Sequence, residues 1–151
     1  MIKQAHTIHD LKDTIELLQT FLCDTAYTQA LEASQDLEHL GRLAYGILSK
    51  GYIWLAYVED KPVGLLMAIK EPNMWITSRH QLREIVWYVR PEHRMSSIGG
   101  RLFAKYCAQG ERMLDQGLID GYFTTRMTTT DGIDYARRGF RLTEQTYLKE
   151  R

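Results

Sequence analysis

Val89-Arg90-Pro91-Glu92-His93-Arg94-Met95-Ser96-Ser97-Ile98-Gly99-Gly100 joins an apolar, strand-like run to an amphipathic, helix-like one. Its residue types suit anion chemistry. The first amides of a helix have no intrahelical partner, and the helix dipole puts its positive end there. A phosphate group at such a place meets donors and favourable charge together. Gly99 and Gly100 carry no side chain, so an anion can approach the backbone closely. Arg94 adds a cation, unless it is a solvated arginine paired with Glu92. The loop has neither Gly-Lys-Ser/Thr nor Gly-x-Gly-x-x-Gly, which argues against a P-loop nucleotidase and a dinucleotide fold.

The elements around the loop follow from periodicity. Residues 2–7 suit a short first strand, and Thr7 with Asp10 three residues on has capping-box spacing. Ile8, Leu11, Ile15, Leu18 and Leu22 give a first helix, and Leu37, Leu40, Leu43, Ala44, Ile47 and Leu48 a second, stopped by Gly51. Residues 23–34 read as loop with a helical turn. Tyr52–Val58 and Val63–Ile69 make a hairpin about Glu59-Asp60-Lys61-Pro62. Residues 71–80 read as loop, and Gln81–Val89, rich in Ile, Val, Trp and Tyr, as a strand. A long helix spans about Gly99–Gln116, a strand Asp120–Met127. Thr128-Thr129-Thr130-Asp131-Gly132 is turn-like and leads into a short helix ended by Gly139. Arg141–Lys149 reads as a last strand. Strands and helices in this order predict an α/β domain with a mixed sheet and helices on its faces.

The chain has 151 residues, with Lys+Arg and Asp+Glu at 19 each, so no net charge points to nucleic acid or a membrane surface. Charge is uneven along it: residues 1–50 are acidic and residues 83–112 basic, the latter overlapping the loop. Cys23 and Cys107 fall in apolar helical patterns, which predicts buried thiols. No signal-peptide pattern and no membrane-length apolar run are present, giving the expectation of a cytoplasmic protein. The five histidines show no metal-ligand spacing.

With Val89-Arg90-Pro91 followed by Arg94-Met95-Ser96-Ser97-Ile98-Gly99, the chain resembles the GNAT superfamily of N-acetyltransferases. The acetyl-CoA loop of that family reads Arg/Gln-x-x-Gly-x-Gly/Ala after Val-x-Pro. Arg94 and Gly99 match, and Ser97 stands where the first Gly is usual. The family's Tyr-x-x-x-Gly-Phe recurs as Tyr135-Ala136-Arg137-Arg138-Gly139-Phe140. The resemblance implies a single α/β domain over residues 1–151. Its central mixed, mostly antiparallel sheet is flanked by helices and splays near Val89. The implied co-substrate is acetyl-CoA, without a metal, and the implied reaction is direct acetyl transfer to a primary amine in a ternary complex. Arg94 and the amides of Met95, Ser96, Ser97, Ile98, Gly99 and Gly100 would hold the pyrophosphate. Val89 would offer backbone groups to the pantetheine arm and an N–H to the thioester oxygen. The acceptor would be a small molecule or a protein, and a homodimer is common in the family.

Transfer needs a neutral amine. For an alkylamine of pKa about 10.4, deprotonation at neutral pH costs roughly 4.6 kcal/mol, which a positioned carboxylate offsets in part. By the resemblance Glu84 is that base; otherwise it is a strand-face carboxylate paired with Arg83 or a neighbouring strand. Tyr135 would sit near the CoA sulfur, or else it packs beside Phe140. A phenol of pKa about 10 protonating a thiolate of pKa about 8.5 is uphill by roughly 2 kcal/mol, which favours a hydrogen bond to the departing sulfur over early proton transfer. His80, His93 and Asp134 are weaker acid–base candidates. Arg101 and Lys105 either reach the CoA 3′-phosphate or are plain exposed charges. Trp75, Trp87, Tyr88 and Tyr122 either line an acceptor pocket or pack. Asp24, Glu32, Asp36 and Glu38 suit a cationic acceptor, or are a solvated helix face. Ser97 leaves two readings: strain if the position requires φ > 0, or a phosphate-binding hydroxyl if it requires only smallness. The rival to an enzyme is a GNAT-fold CoA-binding or regulatory protein that is catalytically weak or inactive.

Overall fold

Thr7 and Asp10 start the first helix as their spacing predicts. Asp10 N–H donates to Thr7 Oγ1 at 3.3 Å, and Thr7 N–H donates to Asp10 Oδ2 at 2.8 Å. The computed structural model describes residues 1–25, 28–126, 133–147 and 149. In chain order these form β1 (Ile2–Gln4), α1 (Ile8–Asp24), α2 (Thr28–Ala33), α3 (Leu37–Lys50), β2 (Gly51–Val58), β3 (Lys61–Pro72), β4 (His80–Val89), α4 (Ile98–Asp115) and β5 (Gly121–Phe123). Short 3₁₀ turns lie at Pro91–His93 and Ala136–Arg138.

The buried stripe of α1 is Asp10, Thr14, Leu17 and Leu18, while Ile8 is 71% exposed. The stripe is rotated from the purely apolar one because the polar members are satisfied. Asp10 also takes the His6 N–H at 2.8 Å and the Lys3 ammonium at 2.6 Å, and Thr14 Oγ1 donates to Asp10 O. Burial pushes the Asp10 carboxyl up, but the bonds from Lys3, His6 and Thr7 outweigh it and hold the group well below the usual carboxylate range. The rotation carries Cys23 to the surface, correcting the expectation of a buried thiol; Cys107 is half-buried.

The sheet order is β1-β2-β3-β4-β5. β1 to β4 pair antiparallel and β5 pairs parallel to β4, which is the mixed, mostly antiparallel sheet expected. Glu59 and Asp60, at φ 48° and 62°, turn β2 into β3 with the left-handed pair a tight hairpin favours. β3 runs on to Pro72, into the segment that reads as loop in the sequence.

Leu17, Leu40, Ala44, Leu55, Leu65, Met67 and Tyr88 pack one face of the sheet against α1 and α3. Trp54, Leu66, Leu82, Leu102, Phe103 and Tyr106 pack the other against α4. β4 changes face partway. Met67 pairs with Val86 but Ala68 with Glu84, so Ile85 is a bulge. Leu82 therefore points toward α4, and Val86 and Tyr88 toward α1 and α3.

β5 is shorter than the strand expected over 120–127, and the segment 128–132 lies outside the described residues. Residues 141–147 form no strand, contrary to expectation. Leu142 and Tyr147 are 79% and 87% exposed, so the apolar positions there bury nothing that would fix a register. No described helix is long and apolar enough to cross a membrane.

α4 approaches β5 closely at Gly110, where an added Cβ would lie 2.7 Å from Tyr122 Cγ. The Tyr122 ring has no easy retreat. Its hydroxyl donates to Glu111 at 2.5 Å, and its ring meets Phe140 edge-on at 5.1 Å. Helix propensity alone makes Gly110→Ala stabilising by up to about 1 kcal/mol, whereas overpacking costs roughly 1–3 kcal/mol. Urea unfolding is expected to show net destabilisation; a more stable variant would mean that α4 and β5 are not so closely packed.

Candidate functional site

Pairing of β4 with β5 runs Gln81–Gly121, Leu82–Tyr122 and Arg83–Phe123 and then stops. Beyond it the Glu84 carboxylate, 6% exposed, accepts hydrogen bonds from Thr124 Oγ1 at 3.0 Å and Thr125 N–H at 2.9 Å. The Thr125 N–H thus bonds a side chain where a longer ladder would have given it a backbone carbonyl, and β4 continues toward Val89 paired with β3 only. Arg90 N–H donates to Val63 O at 2.9 Å, so by strand alternation the Val89 amide points away from β3, into the opening. Burial pushes the Glu84 carboxyl up, and the two hydrogen bonds offset part of that.

Tyr135 stands on the same side. Gly139, at φ +80°, ends the 3₁₀ turn Ala136–Arg138 in the left-handed region that glycine adopts without strain. The reversal sends Phe140 N–H back to Tyr135 O at 3.1 Å. Both rings then pack on Phe103, with centroids 5.8 and 5.7 Å away. This is the physical content of the Tyr-x-x-x-Gly-Phe spacing. Burial raises the Tyr135 phenol, and the nearby Glu84 charge raises it further. Glu84 and Tyr135, which are 51 positions apart in the chain, are thus electrostatically coupled.

Between β4 and α4, Pro91–His93 forms the 3₁₀ turn, and Ser96 Oγ donates to His93 O at 2.6 Å. The amides of Met95, Ser97, Gly99 and Gly100 donate to none of the described residues. Ser97 has φ −74° and ψ 0°, so the position needs only a small residue and Ser is unstrained there; its hydroxyl makes no capping bond. Neither loop glycine is imposed by the backbone or by packing. A Cβ at Gly99 would meet Val89 Cγ2 at an ordinary 3.7 Å, and one at Gly100 would meet nothing within 4 Å. Free amides, bare Cα positions and a helix N-terminus together fit a diphosphate.

Arg94, expected at the pyrophosphate or else paired with Glu92, is not paired with Glu92. Its Nε donates to Val89 O at 2.9 Å, its Nη2 to Asp24 Oδ2 at 3.2 Å, and its guanidinium lies over the Tyr88 ring at 5.6 Å. Asp24 also accepts from the Tyr88 hydroxyl at 2.7 Å. Sequence spacing gave no sign of Asp24 here, 70 residues from Arg94. Thr124 and Thr125 were missed for the same reason: their partner is set by where β5 leaves β4.

The aromatic residues do not form one pocket. Trp75 is 86% exposed, Trp87 stacks on Phe103 at 4.7 Å, and Tyr88 lies on the opposite sheet face. His80 starts β4, three residues before the paired segment ends, and His93 lies in the 3₁₀ turn. Asp134 caps the Ala136–Arg138 turn through Arg137 N–H. Two surface cavities, one beside Gln109 and one beside Ile15, touch neither Val89 nor Tyr135. The opened strand edge and the loop carry the site instead. Among the described residues, no group of three or more His, Cys, Asp or Glu is placed to hold a metal ion.

Residues 15–140 match the acetyltransferase (GNAT) family. No curated protein matches the sequence. Solved structures share the fold at low identity. A GCN5-related N-acetyltransferase from Ralstonia eutropha JMP134 superposes with TM-score 0.72 at 16% identity, covering 99% of this chain and 97% of its own. A predicted acetyltransferase with acetyl-CoA from Clostridium acetobutylicum gives 0.70 at 12%, covering 99% and 95%. An aminoglycoside acetyltransferase from an uncultured soil metagenomic sample, in complex with sisomicin, gives 0.61 at 19%, covering 99% and 92%.

Glu84 has a raised carboxyl pKa in the fold, so its contribution to stability is fully present below the ordinary carboxylate pKa and is lost as pH rises through the folded value. Gln at this position keeps an oxygen for Thr125 N–H and removes the charge. Glu84→Gln is therefore expected to unfold at higher urea than wild type at pH 8, with the gap closing below about pH 4. A gap independent of pH would show that Glu84 is not buried as a charge.

Proposed function

Because the chain belongs to the acetyltransferase (GNAT) family, we propose that it transfers the acetyl group of acetyl-CoA to a primary amine by direct attack in a ternary complex. The observation that carries this reading is the parting of β4 from β5 beside Glu84. Past it no strand of the described residues pairs with β4 on that side, and the Val89 amide, turned away from β3, has no ladder partner there.

In this reading the free amides of Met95, Ser97, Gly99 and Gly100, with the dipole of α4, hold the pyrophosphate, while the Ser96 and Ile98 amides are spent on His93 O and Ser96 Oγ and shape the loop. The Ser97 hydroxyl adds a donor to a phosphate oxygen. Val89 N–H donates to the thioester oxygen, where negative charge grows as the amine attacks. Val89 O is taken by Arg94 Nε, so the amide rather than the carbonyl is the group this residue offers. Arg94 acts on the loop's shape by tying it to Val89 and Asp24. Glu84, raised by burial toward neutral pH, accepts the amine proton through water, since its carboxylate is almost fully enclosed. Tyr135 remains protonated and donates a hydrogen bond to the leaving sulfur. The acceptor is a small molecule or protein bearing an amine. The sisomicin complex of a fold relative supports the small-molecule class.

Acetyl-CoA consumption against a panel of polyamines, aminoglycosides, lysine peptides and N-terminal peptides, followed by product mass, tests the reaction. A mass gain of one acetyl group on an amine is the expected result. CoA binding without turnover on any amine would instead favour a CoA-binding regulatory protein.

Two variants test the parts. Tyr135→Phe is expected to lower kcat by about 10²-fold or more while leaving acetyl-CoA affinity within about twofold; unchanged turnover would remove Tyr135 from the chemistry. Gly100→Glu adds a carboxylate where a side chain has room, so the fold should persist while acetyl-CoA affinity falls by about 10²-fold or more. Calorimetry showing wild-type affinity would overturn the loop assignment.

A further inference from the structure

A second site lies on the other flank of α4, in a cavity of about 250 Å³ lined by Ile2, Gln4, Trp54, Lys105, Gln109 and Arg112. The chemistry of the lining is one-sided. Lys105 and Arg112, two turns apart on α4, are cations, and among the described residues neither is paired with a carboxylate. No Asp or Glu lines the cavity. Gln109 is 6% exposed, and its Oε1 accepts from Arg112 Nη2. That bond fixes the amide orientation, and Gln109 Nε2 donates to none of the described residues. The Gln4 side-chain amide likewise makes no hydrogen bond to them. One wall is the Trp54 indole, 4% exposed and backed by the Tyr52 ring stacked at 5.7 Å.

A nearly buried amide whose free donor opens onto the cavity, beside two exposed cations without a carboxylate partner, gives a lining of donors and positive charge with no carboxylate opposite them. We propose that this cavity binds a small oxyanion, the carboxylate or phosphate of a molecule whose remaining part lies against Trp54. A water takes about 30 Å³ of liquid volume, so the cavity holds about eight waters' worth of ligand, which suits a small organic acid or phosphate ester. At about 1.5 Å rise per residue, Lys105 and Arg112 stand roughly 10 and 20 Å along the axis from Ile98. The cavity faces β1 and β2, whereas Glu84 and Tyr135 lie at the β4–β5 edge. It is therefore separate from the acetyl-transfer site proposed above, and only that separateness rests on the earlier reading.

The test is an NMR titration of the full chain with benzoate and, separately, inorganic phosphate, following the Gln109 side-chain amide and the Trp54 indole N–H. Saturable shifts of both signals at millimolar ligand or below are expected, and the responding anion identifies carboxylate or phosphate as the source. Arg112→Gln should weaken binding by about tenfold, while Leu142→Ala, at an exposed position outside the cavity lining, should not change it. No saturable shift with either anion overturns the proposal. So does loss of the shifts on saturation with CoA, which would place the cavity within the acyl donor's footprint. Binding of CoA itself is read independently from the Gly99 and Gly100 amides, so failure here is distinguishable from failure of the acetyl-transfer reading.

Discussion

The hydrogen bond from Thr125 N–H to the buried Glu84 carboxylate is the contact on which the site depends. A parallel pair that ends inside a protein leaves backbone donors unsatisfied, and such donors are rarely left without a partner. Here Glu84 Oε2 takes the Thr125 amide and the Thr124 hydroxyl, so β5 can leave β4 after Arg83. Burying a carboxylate is unfavourable. Two donors offset part of that cost, and the remainder appears as a raised pKa. An opened strand edge and a carboxylate more basic than usual are two consequences of one contact.

The bulge at Ile85 distributes the rest. Before it, Leu82 and Glu84 point toward α4; after it, Val86 and Tyr88 point toward α1 and α3. Glu84 is thereby on the Tyr135 side, and Tyr88 on the other, where its hydroxyl reaches Asp24 and its ring lies under Arg94. Arg94 closes on Val89 O. The Arg94–Asp24 pair is partly exposed, and pairs of that kind contribute at most about 1 kcal/mol. The loop's shape therefore rests chiefly on the backbone bonds of its 3₁₀ turn and on the Val89 carbonyl, with Asp24 adding direction rather than strength.

Features governed by local chemistry were legible in the sequence. The Thr7–Asp10 cap, the turn at Glu59–Asp60, the helix following the loop glycines and the Gly139 reversal each depend on residues within a few positions of one another. Features governed by distant partners were not. β4 is apolar on both faces, so its period hides the bulge. Cys23 falls on the purely apolar stripe of the sequence, whereas the core-facing stripe includes Asp10 and Thr14, whose satisfaction depends on the folded backbone around them. Arg141–Lys149 has strand-like residue types, but strand formation needs a partner and a face to bury, and Leu142 and Tyr147 have neither. Glu84, Val89, Ser97, Gly99 and Tyr135 stand out in the sequence as candidates by residue type and motif, whereas the contacts of Asp24, Thr124 and Thr125 with Arg94 and Glu84 depend on the fold.

The coupling between Glu84 and Tyr135 bears on the order of events in the proposed reaction. A base and a hydrogen-bond donor in one site must have pKa values pushed apart. Burial raises both groups, but the Glu84 charge raises Tyr135 further, so the phenol keeps its proton while the carboxylate is free to accept one. When Glu84 takes the amine proton its charge is gone, and that part of the rise in Tyr135 is gone with it. The phenol becomes a stronger donor at the stage when negative charge collects on the departing sulfur. In the proposed reaction the arrival of one proton would thus prepare the other, because the charge of Glu84 acts directly on Tyr135.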